Sequence, residues 1–155
     1  MVSASDKITR TLSGAFAKSN ICHEGPKDVW IALIHVPQTG TLSAYYSAKD
    51  LAEEAGFGNA DYFRSEYLFD WEIEEKYVEH IVSLQTLIER GIGRYIDLEI
   101  MGMSSLQQRL EERIRLLDGF ESGLYFARIA QCFGARAPVS GIAHQLLFEA
   151  EIKGY

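Results

Sequence analysis

Residues 47–63 read SAKDLAEEAGFGNADYF and have the spacing of two short helices joined by a tight turn. Such a hairpin needs a small residue where its helices touch and a glycine that tolerates positive φ at the turn. Ala52 meets the first need, and Gly56, four residues later, meets the second. The spacing therefore predicts a helix-turn-helix hairpin, and the interpretation of the whole chain depends on it.

Apolar side chains stand where this hairpin would bury them. Leu51 and Ala55 fall on the inner side of the first helix. We expect Tyr62 and Phe63 to occupy the inner face of the second helix and Phe57 to close the turn between the two helices. An ordinary helical hairpin without any binding role is the alternative interpretation of the same pattern.

The run DLAEEAGF followed by YF resembles the first helix-turn-helix of AraC-type transcription regulators, over residues 47–67. The resemblance implies that the helix starting near Asn59 is a recognition helix and that its partner is DNA. Asn59 and Arg64 are the side chains in this segment that we expect to contact the nucleic acid.

A second candidate hairpin, RIAQCFGARAPVSGIAHQL, spans Arg128 to Leu146. Ala130 again precedes a glycine, Gly134, by four residues, and an apolar segment comes after it. A hairpin that only builds the core is the alternative here too. If this segment contacts phosphates, the residues that we expect to do so are Arg128, Arg136, Ser140 and His144.

The segment from Asp61 to His80 carries seven acidic and two basic residues, a net charge of −5 out of −7 for the chain. Glu72, Glu75 and Glu79 would share the polar face of a helix that begins at Asp70. With the aromatic residues Tyr67 and Trp71 beside it, this face predicts a surface for a basic protein partner. A solvated helix face is the alternative, and the absence of a Glu-x-x-His pair disfavours a metal site.

Apolar residues elsewhere also recur mostly at helical spacing, which predicts a mainly α, compact single-domain helical bundle over residues 1–155. Asp28 can cap a helix over Val29–Val36, although the β-branched residues there also suit a strand. Ser104 or Ser105 can cap another helix, which would end or kink at Gly119. We expect a long helix that Asp70 caps and that ends near Gly91 and Gly93, with Ile73, Tyr77, Ile81, Leu84 and Ile88 on one stripe. The other expected helical segments are a first helix through Ile8, Leu12 and Phe16 that stops before Glu24, Val29–Val36, 106–117, Tyr125–Phe133 and Val139–Ile152.

Composition and charge narrow the functional classes. The net charge of −7 disfavours attraction of the whole surface to phosphate or anionic membranes. The longest apolar run has eight residues, far short of a membrane span, and the amino-terminal residues lack the apolar core of a signal peptide. Two distant cysteines, Cys22 and Cys132, suggest reduced thiols, so we expect a cytoplasmic protein.

We therefore expect a small regulatory protein that binds a macromolecule. A helix-turn-helix DNA-binding transcription regulator is the first hypothesis, and an acidic protein-binding module, such as an inhibitor, immunity protein or adaptor, is the alternative. We expect a homodimer formed through the apolar stripe from Leu106 to Leu117, as DNA-reading proteins commonly pair. We recognise no local sequence motif for catalysis or for binding a cofactor or a metal, so neither catalytic nor metal-binding residues are predicted.

Overall fold

Helices and strands are mixed along the chain in the computed structural model, which describes residues 2–36, 45–70, 72–99 and 103–151. The predicted mainly α bundle is therefore wrong: the described residues form two antiparallel sheets beside their helices. The strands are β1 (Val2–Ser5), β2 (Trp30–Ile34), β3 (Tyr45–Ser47), β4 (Glu66–Phe69) and β5 (Val78–Ser83). The α-helices are α1 (Ile8–Ile21), α2 (Ala48–Glu54), α3 (Leu84–Glu89), α4 (Met103–Arg115), α5 (Gly119–Gln131) and α6 (Val139–Glu151), and 3-10 helices span Ala60–Phe63, Glu75–Tyr77 and Ile92–Arg94.

The chain divides into two compact units. The first contains Met1–Lys7 and Ile34–Glu79, and the second contains Ile8–Leu33 and His80–Tyr155. Strands β2 and β5 pair with each other. The boundaries between the units fall within these two strands and between Lys7 and Ile8.

A three-stranded antiparallel sheet in the order β1-β4-β3 organises the first unit. In its register, Phe69 of β4 lies between Val2 of β1 and Tyr45 of β3. Side chains alternate between the faces of a sheet, so the rings of Tyr45, Tyr67 and Phe69 gather on one face. The Tyr45 centroid lies 6.1 Å from that of Tyr67 and 5.7 Å from that of Phe69.

Helices build the core of the second unit. Leu12 and Phe16 of α1 are buried, as are residues at helical spacing in α4, α5 and α6. Burial of these stripes removes apolar surface from water and stabilises the unit. Among the described residues, large apolar side chains that are almost fully buried include Leu12, Phe16, Leu84, Leu87, Ile92, Leu106, Leu110, Phe126, Ile129, Phe133 and Leu146.

The helix predicted over Val29–Val36 is a strand. Asp28 caps no helix, because a strand follows it, and its backbone N–H donates to the carbonyl of Gly25 at 2.8 Å in a turn. Strand β2 comes next and pairs with β5, and Ile31 points into the core while Trp30 and Ala32 are exposed. The β-branched residues of this run are favourable in a strand, and pairing with β5 decides between the two conformations.

The long helix predicted from Asp70 is also wrong. The described residues there form the 3-10 helix Glu75–Tyr77, strand β5 and the short helix α3. Ile81 is exposed although it belonged to the predicted stripe, whereas Val82 is buried, as the period of a strand requires. The helix begins only at Leu84, where the Ser83 hydroxyl caps it by accepting the N–H of Thr86 at 3.1 Å.

Four predicted helices are confirmed, although their bounds shift. Helix α1 covers the first stripe, and α4, α5 and α6 cover the last three. Helix α4 begins at Met103, so Ser104 and Ser105 lie inside it rather than capping it. Gly119 opens α5 after the cap Asp118, whose carboxylate accepts the N–H of Glu121 at 2.8 Å.

Candidate functional site

The hairpin of residues 47–63 forms only in its first half. The Ser47 hydroxyl caps α2 by accepting the N–H of Asp50 at 3.2 Å. Gly56 adopts a φ of 75°, and the N–H of Phe57 donates to the carbonyl of Ala52 at 2.9 Å. The predicted glycine turn and the burial of Ala52 are therefore confirmed.

The second helix of the hairpin is only the 3-10 helix Ala60–Phe63. Two residues beyond Arg64 the chain enters β4. A recognition helix presents side chains over several turns, whereas this segment has about one turn. The helix predicted from Asn59 is thus wrong in both length and type.

Two aromatic side chains of this hairpin are exposed instead of buried. Phe57 is 66% exposed and Tyr62 is 67% exposed, so the predicted plug at the turn and the predicted inward position of Tyr62 are both wrong, whereas Phe63 is half-buried. Ala55, expected on the inner side of the first helix, is exposed as well. The rings of Tyr62 and Phe63 pack edge to face with centroids 5.3 Å apart. Large exposed aromatic side chains often mark interaction surfaces.

The charges around these aromatic residues are mainly negative. Lys49 forms ion pairs with Asp61 at 2.8 Å and with Glu53 at 3.6 Å. The hydrogen bond and charge of Lys49 hold the pKa of Asp61 below its ordinary value, and Asp61 in turn raises the pKa of Lys49. Asp50 and Glu54, also on α2, are exposed. The one lysine of α2 is therefore already engaged by acidic neighbours.

The DNA-contact candidates fall in different units. Asn59 and Arg64 are exposed in the first unit, where the Arg64 Nε donates to the carbonyl of Asp61 at 3.4 Å. The other four belong to the second unit. There the structure places Arg128 on α5, Arg136 in the turn after α5, and Ser140 and His144 on α6, all exposed.

The protein-contact candidates do not share a helix face. Tyr67 is half-buried in β4, where its hydroxyl donates to the Asp6 carboxylate at 3.3 Å, and Trp71 lies outside the described residues. Glu72 comes after β4, Glu75 opens a 3-10 helix, and Glu79 lies in β5. The three glutamates are nevertheless all exposed.

Charge is divided unequally between the two units. Met1–Lys7 and Ile34–Glu79 hold four basic and eleven acidic residues, a net charge of −7. The remaining residues hold eleven of each, a net charge of zero. The first unit therefore carries the whole net charge of the chain.

An arginine-rich cleft in the second unit was not predicted from the sequence. It encloses about 380 Å³ and includes Arg94, Arg109 and Arg113 in its lining. Arg109 pairs with Asp97 at 3.1 Å, and the Arg113 guanidinium carbon lies 5.6 Å from the Tyr125 ring centroid. The i, i+4 spacing of Arg109 and Arg113 was a visible signal, but Arg94 and Asp97 lie far from them in sequence.

A second unpredicted arrangement surrounds Cys132. Arg90 donates to the Cys132 carbonyl at 3.2 Å, and its guanidinium packs against Gly134. Burial raises the pKa of the Cys132 thiol, and the charges of Arg90 and Arg94 offset part of this rise. Cys132 is therefore a core residue, whereas Cys22 is exposed.

The apolar stripe that was expected to form a homodimer is largely used within the fold. Leu106 and Leu110 are buried in the core, and Ile114 packs against it. This stripe is thus not a free dimer surface, and self-association stays a prediction. No helix in the described parts of the chain has the length and apolar character needed to cross a membrane. No protein-family model, curated protein or solved structure matches this chain.

Proposed function

We propose that this chain is an acidic protein-binding module whose first unit binds a basic, apolar-anchored segment of another protein. The observation that carries the proposal is the exposure of Phe57 and Tyr62 beside the acidic helix α2. Aromatic residues are enriched in protein interfaces, where they fill apolar contacts while charges at the rim select the partner.

Charge complementarity defines the partner. The net charge of −7 on the first unit attracts lysine and arginine side chains and repels nucleic-acid phosphates. Lys49, the one lysine of the hairpin, is paired with Asp61 and Glu53. A basic protein segment therefore suits this surface better than DNA does.

The exposed glutamates extend the same negative field. Glu72, Glu75 and Glu79 are exposed although they do not lie on one helix. In this proposal they act mainly on the rate of association, because exposed charges steer an encounter over about a Debye length. Phe57 and Tyr62 supply the contacts that hold the complex.

The test uses fluorescence anisotropy with three labelled probes: an alternating Lys/Leu peptide, its Glu/Leu counterpart and a duplex DNA. We expect the parent to bind the Lys/Leu peptide and neither of the others. The double variant Phe57→Ser/Tyr62→Ser should weaken that binding by about tenfold or more, as loss of interface anchors does. Phe148→Ser removes an exposed aromatic residue of the second unit and is the matched control, expected to bind like the parent.

A triple variant, Glu72→Lys/Glu75→Lys/Glu79→Lys, separates the two classes of partner. It should slow association with the Lys/Leu peptide, whereas a DNA-binding protein should bind DNA more tightly after the same change. Binding of duplex DNA by the parent without binding of the peptide would replace this proposal by the helix-turn-helix hypothesis. Equal affinity of the parent for the two peptides would also contradict it.

A further inference from the structure

The cleft in the second unit combines apolar and arginine side chains. Among its lining residues, Ile96, Leu106 and Leu110 are almost fully buried, whereas Leu116 is 78% exposed and supplies accessible apolar surface. Arg94 and Arg113 line it as well, and neither has an ion-pair partner among the residues that the structure describes. Concave sites for small molecules commonly combine apolar walls with a few polar groups, at volumes of about 300 to 1,000 Å³.

The other charged residues of the cleft leave a positive balance. Asp97 is neutralised by Arg109, at 3.1 Å. Glu112 lines the cleft too, and its carboxylate accepts a hydrogen bond from the Gln108 amide at 3.0 Å. Three arginines thus face two carboxylates, which leaves a net charge of +1 in this part of a neutral unit.

Tyr125 gives the cleft a rigid aromatic surface. Its hydroxyl donates to the Tyr95 carbonyl at 2.6 Å, and its ring packs edge to face with that of Tyr95 at 6.1 Å. Burial raises the pKa of Tyr125 although Arg113 opposes the rise, so the hydroxyl keeps its proton and its hydrogen bond. Arg113 in turn lies beside this ring, 5.6 Å from its centroid.

We propose that this cleft binds a small organic anion that carries a carboxylate or phosphate group on an apolar body. Arg113 and Arg94 hold the anionic group, because a guanidinium presents paired donors to planar or tetrahedral oxyanions. The apolar body covers Leu116 and the ring of Tyr125. The inference concerns the second unit alone and goes beyond the proposed protein-binding role of the first.

The test is an NMR titration of the full chain, observing backbone amides and arginine side-chain Nε–H groups. The probes are phenyl phosphate, phenylacetate, inorganic phosphate and neutral benzyl alcohol. We expect saturable shifts at Arg94, Arg113 and Tyr125 with phenyl phosphate, phenylacetate or both. The aromatic anion with the higher affinity shows whether the cleft prefers a phosphate or a carboxylate group. Benzyl alcohol and inorganic phosphate should each bind at least about tenfold more weakly, since the first lacks the anionic group and the second lacks the apolar body.

Three variants have different expected outcomes. Arg113→Gln should weaken binding of the aromatic anion by about tenfold, because it removes one charge-assisted contact. Arg115→Gln, an exposed arginine of the same helix that does not line the cleft, should leave affinity unchanged. Asp97→Asn should tighten binding severalfold, since it releases Arg109 while its amide oxygen still accepts the N–H of Glu99.

Two results would overturn the inference. One is the absence of saturable shifts in the parent with either aromatic anion up to about 10 mM, above the range of weak small ligands. The other is equal binding of inorganic phosphate and phenyl phosphate, which would reduce the cleft to a patch of exposed charge.

Discussion

Thr9 and Glu149 meet in the core of the second unit, although 140 positions separate them in sequence. The Glu149 Oε2 accepts the Thr9 hydroxyl at 2.6 Å and the Thr9 N–H at 2.9 Å, and Oε1 accepts the N–H of Ile8 at 2.7 Å. The first backbone N–H groups of a helix have no partner within it. A residue of α6, only 3% exposed, therefore caps α1.

Glu149→Gln should lower the free energy of unfolding by about 2 to 3 kcal/mol, since it replaces a charged acceptor by an amide whose NH2 group faces other donors. The Gln145 amide also donates to the Glu149 Oε1 at 2.9 Å in the parent. The Glu149→Gln variant therefore leaves some of these donors without an acceptor. Urea unfolding measures the change. Glu151→Gln, on the exposed side of the same helix, is the control and should have almost no effect. Equal stability of the Glu149→Gln variant and the parent would show that the cap is unimportant.

Gly134 should not tolerate a side chain. Its φ is 112°, and a β-carbon there would lie 2.6 Å from the Arg90 Nη1. Gly134→Ala should therefore destabilise the chain by about 1 to 3 kcal/mol, the usual cost of a strained backbone conformation. Gly123, inside α5 with open space at its β-carbon position, is the matched control. Gly123→Ala should raise stability by about 0.5 to 1 kcal/mol, so thermal unfolding should move the two midpoints in opposite directions.

Lys49 should control the titration of Asp61. Removing its charge with Lys49→Met should raise the pKa of Asp61 towards its ordinary value, because the hydrogen bond and charge of Lys49 are the main causes of the lowered pKa. A carboxyl-detected NMR titration measures this shift. Lys76→Met removes a cation that pairs with Glu74 instead, so it should leave Asp61 unchanged.

The pair of Lys49 and Asp61 should make the folded chain less stable at acidic pH. A lowered pKa in the folded state stabilises the fold above the ordinary carboxyl pKa, and this stabilisation is lost as the pH falls through the folded value. Both side chains are exposed, so added salt should screen most of the effect. An acid-dependent loss of stability that is the same in Lys49→Met and the parent at low salt would contradict this role.

The two thiols should differ in reactivity. Cys22 is exposed, whereas Cys132 is buried with a raised pKa. A thiolate-specific disulfide reagent should therefore modify one thiol rapidly in the folded chain and the second only after unfolding. The Cys22→Ser variant should lose the rapid phase alone. Rapid modification of both thiols in the folded chain, without denaturant, would contradict the burial of Cys132.

The raised pKa of the Cys132 thiol also predicts that the free energy of unfolding falls at alkaline pH. The unfolded chain releases the Cys132 proton near the ordinary thiol pKa of about 8.5, before the folded chain does. Stability from this site is complete below that pH and declines above it. Cys132→Ala should flatten this part of the pH profile, measured as urea midpoints across the alkaline range.

The charge partition could be anticipated from sequence, because residues 61–80 are strongly acidic. The placement of those acids could not. Their helical spacing suited one face of a long helix, but Tyr77, Val78 and the residues after them also fit a strand, and pairing of β5 with β2 selects the strand. The arginine cleft was equally hidden, since Arg94 and Arg113 come together only when the 3-10 helix Ile92–Arg94 packs near α4.

The sequence by itself determined α1, α4, α5 and α6, because each carries an apolar stripe at helical spacing. It also determined the tight turn at Gly56, where only the local backbone matters. The tertiary structure alone decided the conformation of the chain beyond that turn. Strand β4 finds its hydrogen-bond partners in β1, far earlier in the sequence, and in β3. Such distant pairing overrides a weak local helix preference, so a predicted recognition helix becomes one 3-10 turn and a strand.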